Sequence, residues 1–340
     1  MATQQLLNNG PFSGGGDVPV GFVLSHEQFP VPQLVELGAA AEEAGFNAVW
    51  GSDHFQPWQS NQGHAGLVWA TLAALSQRTR RVALGTGVTC PTYRYEPAIV
   101  AQAFATLGQL APGRIFLGTG SGEAINEQAV TGKWDPYKVR VAMLVEAVQV
   151  IRKLWSGDTI EHNGEYYTVH ARLYDIPTEP VPLYIAAGGP KSMELAGEHG
   201  DGLVTDAKGV QEQEMRSAYQ KGAQAGGKDS KQLPVLIEQM MVVGDEQDAR
   251  KGAELWRFMP RSWEEYVNNP DPADIARRAH QDVPIEDVIT NWVISKDPQA
   301  HIQRIRELLD AGATQVFVHS PQPDQKAIVD FFGREVLPKI

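Results

Sequence analysis

Ala48-Val49-Trp50-Gly51-Ser52-Asp53-His54-Phe55-Gln56-Pro57-Trp58 decides how this chain reads. Its first three residues make a short apolar strand, and Gly51 breaks it. An acid, an imidazole and an indole follow between positions 53 and 58. A strand ending in such residues delivers chemistry at its C-terminal end, which is the active face of a (β/α)8 barrel. Taken alone, the stretch fits equally well a strand followed by a polar loop with a structural histidine. The surrounding chain makes the choice.

Upstream, residues 18–24 read as strand 1, and Ser25-His26-Glu27-Gln28-Phe29 as a polar loop. Residues 32–44 carry Leu34, Leu37, Ala41 and Ala44 on one helical face, stopped by Gly45. Downstream, helices are expected over 69–78 and 97–108, with strands over 82–88 and 114–118. Gly120-Ser121-Gly122-Glu123-Ala124-Ile125-Asn126-Glu127 then sits at the end of strand 4. A long helix covers 139–155, and residues 164–169 read as a small hairpin. Strands over 183–187, 202–205, 235–243 and 314–319 alternate with further helices, and 293–295 is a short apolar stretch. Residues 259–290 are rich in proline and acids and lack periodicity, so they read as an insertion and a candidate lid. No GxGxxG follows strand 1, so a doubly wound dinucleotide fold has no fingerprint. About eight strands alternating with helices predict an α/β fold, a (β/α)8 TIM barrel with insertions. It forms one domain over residues 18–340, behind a flexible tail over 1–17.

Composition narrows the function. The chain has 340 residues, 42% hydrophobic and 21% charged, which suits a large globular core. A net charge of −12 argues against nucleic-acid or anionic-membrane partners. An anionic ligand would need a local basic or helix-N-terminal pocket. The single cysteine, Cys90, excludes an intrachain disulfide and a cysteine metal cage, and fits a cytoplasmic setting. No apolar run approaches the roughly 20 residues of a membrane span. No metal is expected.

Four motifs then point to a family. They are Ser52 to Trp58 above, Arg94-Tyr95-Glu96-Pro97-Ala98, Gly120 to Glu127, and Tyr184-Ile185-Ala186-Ala187-Gly188-Gly189-Pro190. Together they resemble the luciferase-like barrel enzymes that use the deazaflavin coenzyme F420. The nearest resemblance is to the glucose-6-phosphate, alcohol and hydroxymycolic acid dehydrogenases among them, over residues 18 to 338. A deazaflavin moves a hydride at one ring carbon, leaving the protein to supply position, a proton acceptor and electrostatics. The resemblance implies His54 as catalytic base, and an imidazole suits removal of a hydroxyl proton near neutral pH. It implies Glu123 as a second acid/base group beside the ring, Trp58 as a wall on the substrate side and Glu27 as the carboxylate that orients His54. Asp53, Ser121, Gly122 and Asn126 map to coenzyme-contacting positions, as does Cys90. Gly188, Gly189, Lys191 and Ser192 open the helix after strand 5, where backbone N–H groups would take the coenzyme's phosphodiester. Gly87-Val88 aligns with a cis peptide bond that bulges behind the ring. A homodimer is also implied.

The chain departs from the sugar-phosphate members at their phosphate grip. Thr205 and Lys208 are kept. Tyr266-Val267-Asn268-Asn269 stands where a Lys-His pair is expected, and Asn291 where an arginine precedes Trp292. Losing charge-assisted bonds of roughly 1.5–3 kcal/mol each disfavours a sugar phosphate. Leu255-Trp256-Arg257-Phe258 and Asn291-Trp292 look more like the hydroxymycolic acid branch, although its exported member carries a twin-arginine leader not seen here. The expected activity is F420-dependent oxidation of a secondary alcohol, with sugar-phosphate oxidation as the alternative.

Overall fold

The computed structural model describes residues 11, 12 and 18–340. The flexible tail expected over 1–17 therefore lies outside the described residues, apart from Pro11 and Phe12. The Phe12 ring packs 5.4 Å from Phe116 and 6.1 Å from Tyr184.

Eight parallel strands close into a barrel. They are β1 (Val20–Leu24), β2 (Ala48–Gly51), β3 (Ala83–Thr86), β4 (Ile115–Thr119), β5 (Leu183–Ala186), β6 (Gly202–Thr205), β7 (Val235–Val242) and β8 (Gln315–His319). Each pairs with the next, and β8 returns to β1 with Phe317 opposite Gly21. The helices run outside between the strands, so both faces of every strand are covered. That is why the strands read as continuous apolar runs rather than alternations. One side chain in two points inward. Val23, Trp50, Phe116, Tyr184, Leu236 and Phe317 fill the interior, and Trp50 stacks on Phe317 at 3.8 Å. The outward set, including Phe22, Leu84, Leu117 and Val318, packs on the helices. Among the described residues, no helix is long and apolar enough to cross a membrane.

The short apolar stretch Val293–Ile294 pairs with Met241 and Val242 at the extended end of β7, outside the closed ring. Two expectations change. The hairpin is longer than 164–169, with antiparallel strands Ile160–Asn163 and Thr168–Ala171. Its turn is held by Glu146, which accepts the N–H groups of Glu165, Tyr166 and Tyr167. The segment 259–290 is largely helical. Its broken periodicity reflects several short pieces, among them helices Pro272–Asp282 and Ile285–Ile289. Asp271 caps the first by accepting from Ala273 N at 2.9 Å, and Ile275 and Ala279 are its buried face. These residues join Trp58, Trp256, Phe258 and Trp292 in one apolar cluster above the C-terminal face. Backbone bonds from Ser60 N to Pro272 O and from Ala124 N to Val267 O tie the insertion to the loops after β2 and β4.

Candidate active site

The loops after β1, β2 and β4 bring Glu27, His54, Glu123 and Asn126 together at the C-terminal mouth. His54 Nε2 lies 3.2 Å from Glu27 Oε1, and His54 Nδ1 lies 3.0 Å from Asn126 Nδ2. Asn126 fixes the roles. Its Oδ1 accepts from Phe55 N at 2.8 Å, so its amide nitrogen must face His54. The ring nitrogen Nδ1 is then the acceptor, and the Nε2 proton points at Glu27. The same amide donates to Glu123 Oε2 at 3.1 Å, which links both expected acid/base groups through one side chain. The resemblance maps Asn126 to the coenzyme, and in the fold its amide orients these two residues.

Glu27 is almost wholly buried. Burial alone would raise its carboxyl, but the facing His54 and the Ser52 hydroxyl outweigh that and hold it below the ordinary carboxylate value. Ser52 Oγ donates to Oε2 at 2.5 Å and Ser25 Oγ at 3.0 Å. The sequence reading gave neither serine a role. Their signal was adjacency to Glu27 and Asp53.

Asp53 is similarly engaged. Thr89 Oγ1 donates to Oδ2 at 2.6 Å, while Arg94 Nη2 and Tyr95 OH reach Oδ1 at 3.0 and 3.3 Å. Its carboxylate thus braces the Arg94-Tyr95 motif against β2. Beneath it, Glu127 accepts from Arg94 N at 2.7 Å and lies 3.6 Å from Arg94 Nε. Burial pushes the Glu127 carboxyl up to about 7 against the pull of Arg94. Because the folded value lies above the unfolded one, the folded chain binds more protons between them. Stability should therefore fall as pH rises from about 4.5 to 7, by at most roughly 3 kcal/mol. Glu127→Gln is expected to remove that decline. Melting temperatures at pH 5 and pH 8 should differ less in the variant than in the parent; an unchanged difference would clear Glu127 of the effect.

Glycines mark the opposite side of the mouth. Gly87-Val88 is cis, and a Cβ at Gly120 would sit 2.9 Å from Val88 Cγ2. Gly122 has φ +77°, and a Cβ there would press on Cys90 Sγ at 2.6 Å, so only glycine suits it. The Cys90 thiol faces Gly122 and Thr92, and burial pushes its pKa well up, which makes it a packing group. Ser121 lines a small cavity with Tyr137, Val141, Ser192 and Leu195. Beyond β5, space is open in front of helix Pro190–His199: a Cβ at Gly188 or Gly189 would meet nothing within 4 Å. Their N–H groups bond to Ser192 Oγ at 3.3 and 3.1 Å, and Lys191 is exposed on the first turn. The open space at Gly188 and Gly189, at a helix N-terminus with Lys191 beside it, suits a phosphodiester. The coenzyme would lie along Val88 and Ser121, with its phosphodiester toward Gly188, Gly189, Lys191 and Ser192.

On the substrate side, the Trp58 indole is 6.1 Å from the His54 ring and stacks on Phe258 at 4.7 Å. Trp263, 68% exposed, meets it edge-on. Thr205 is buried, with its hydroxyl donated to Ala187 O at 2.8 Å. Lys208 is exposed and 3.9 Å from Glu212. Asn291 is exposed, its carbonyl accepting from Gln239 Nε2 at 2.9 Å. Glu238 and His319, which the sequence reading passed over, form a hydrogen-bonded pair on β7 and β8.

Residues 18–315 match the family model described as luciferase-like monooxygenase. The F420-dependent hydroxymycolic acid dehydrogenase of Mycobacterium tuberculosis is 47% identical over 322 residues, covering 94% of this chain and 88% of that one. The F420-dependent glucose-6-phosphate dehydrogenase of Nocardia farcinica is 40% identical over 332 residues, covering 96% and 98%. Among solved structures, an F420-dependent secondary alcohol dehydrogenase in complex with an F420-acetone adduct aligns with a TM-score of 0.88. It is 32% identical and covers 95% of this chain and 99% of that one.

Proposed function

The chain belongs to the luciferase-like family as an F420-dependent dehydrogenase, and we propose that its substrate is a neutral secondary alcohol on an apolar body. One observation carries the substrate half of this reading. The His54–Glu27 pair borders a wall of stacked aromatics, while the one cation kept from the sugar-phosphate pattern, Lys208, is exposed and beside a glutamate. An exposed pair of that kind contributes under about 1 kcal/mol. The names of the relatives favour a second reading, a sugar-phosphate dehydrogenase, which the retained Thr205 and Lys208 also support.

Coenzyme F420, when bound, supplies the acceptor for the hydride leaving the carbinol carbon. The protein manages the proton. The alcohol's hydroxyl proton passes to His54 Nδ1, the one lone pair of the ring, as the substrate hydroxyl takes the place of the Asn126 amide there, and the Glu27 carboxylate at Nε2 stabilises the imidazolium that results. Until then Asn126 holds the ring at Nδ1, and the two serines hold Glu27 at Oε2. Trp58 and Phe258 exclude water from the same side. Glu123, held at Oε2 by Asn126, keeps a carboxyl beside the pair on the coenzyme side.

The test is reduction of oxidised F420, followed by loss of its visible absorption, with a panel of secondary alcohols and glucose-6-phosphate. A neutral alcohol should give the higher kcat/KM, by about tenfold or more. The converse change is Asn291→Arg with Asn268→Lys. Both positions are exposed, whereas Val267 is buried and unsuited to lysine. The double variant should gain activity on the phosphorylated sugar. A parent enzyme that turns over glucose-6-phosphate better than every neutral alcohol would overturn the alcohol reading.

A further inference from the structure

We propose that Glu238, held by His319, is a second hydroxyl-binding point in the barrel mouth, so that the substrate carries a hydrogen-bond donor besides the hydroxyl that is oxidised. The proposal rests on the dehydrogenase reading and deepens its substrate class.

Leu236, Glu238 and Met240 form the inward row of β7. Leu236 belongs to the inner core, and Met240 to the aromatic cluster above it. Glu238 is in register with Phe317 of β8, the ring that stacks on Trp50. A carboxylate sealed at this depth would carry a large desolvation penalty. Its side chain is instead 37% exposed, so the barrel is open down to this level.

His319, two residues along β8, is only 4% exposed at its side chain, and its Nδ1 donates to Glu238 Oε1 at 2.6 Å. The imidazole is wedged edge-to-face against Trp256 at 4.7 Å, and Trp256 Nε1 is itself fixed by Gln28 Oε1 at 3.1 Å. Among the described residues, nothing bonds His319 Nε2. Rigid packing thus locks one oxygen of Glu238 and leaves the other for an incoming donor. A carboxylate so held is a strong acceptor for a hydroxyl. Proton removal does not need it, because the His54–Glu27 pair already accepts that proton. With Glu27 and Glu238 both at the mouth, an anionic substituent at this level is repelled and a hydroxyl is welcomed.

The experiment compares sec-butanol with the vicinal butanediol of the same carbon chain, in the parent and in Glu238→Leu. The parent should favour the diol in kcat/KM by about tenfold, the worth of one hydrogen bond to a charged group. Glu238→Leu should bring that ratio close to one. His319→Phe, which leaves the carboxylate in place but unheld, should lower the ratio by part of that amount. If the leucine variant does not fold, Glu238→Gln reads the same ratio and should show an intermediate fall. A ratio that is the same in parent and variants overturns the proposal. Should the parent oxidise only glucose-6-phosphate, the alcohol reading fails separately. Glu238 is then judged on that sugar phosphate against its deoxy analogues: loss of selectivity in Glu238→Leu supports the subsite, and unchanged selectivity overturns it.

Discussion

Replacing His54 by alanine is expected to lower kcat by about 10²–10⁴-fold, or roughly 3–5 kcal/mol of barrier, with little change in F420 affinity. The ring sits between two partners that have no other use for it. Glu27 receives the Nε2 proton at 3.2 Å and Asn126 donates to Nδ1 at 3.0 Å. Alanine leaves the buried Glu27 carboxylate without its Nε2 donor and the alcohol without a proton acceptor. The F420 cleft is lined by other residues, which is why affinity should survive. Steady-state kinetics beside a direct F420 titration separate the two quantities. A kcat within a few-fold of the parent would show that the proton leaves by another route.

Glu27→Gln is expected to cost about 10²–10³-fold in kcat and to change the acid limb of the pH profile. An amide has the carboxylate's shape but offers one acceptor where Glu27 offers two. Ser25 and Ser52 donate to one oxygen and His54 Nε2 faces the other. If the new NH2 faces His54, the ring must move its proton to Nδ1, where the Asn126 amide is also a donor. Either arrangement removes the charge that stabilises the imidazolium. The carboxyl also carries a stability signature. Its folded pKa lies below the ordinary value, so its contribution is complete above that value and is lost as pH falls through the folded pKa. The glutamine variant should therefore lose less stability than the parent on acidification. Thermal melts from neutral to acidic pH test this, and superimposable curves would remove Glu27 from the acid response.

The sequence by itself determined the elements and the local clusters. A short apolar run and a helical period of 3.6 residues are both short-range properties, so the eight staves and most helices were readable within a few residues of their ends. His54 beside Asp53, and Glu123 three residues before Asn126, are neighbours in the chain, so their motifs survived as motifs. The insertion resisted the same reading because its helices are short and their caps, such as Asp271, are separated by single turns.

Only the tertiary structure decided which polar atoms remain available. The motifs did not show what Asp53 and Asn126 hold within the fold: closing the barrel brought Thr89, Arg94 and Tyr95 onto one and His54 and Glu123 onto the other. Glu238 and His319 stand 81 positions apart and share no motif. They meet because β7 and β8 are neighbours with a register that puts both on the inner wall. Which face of a stave turns inward, and how deep the mouth stays open, follow from closure and shear. Those are properties of all eight strands at once, so no local pattern of residues could carry them.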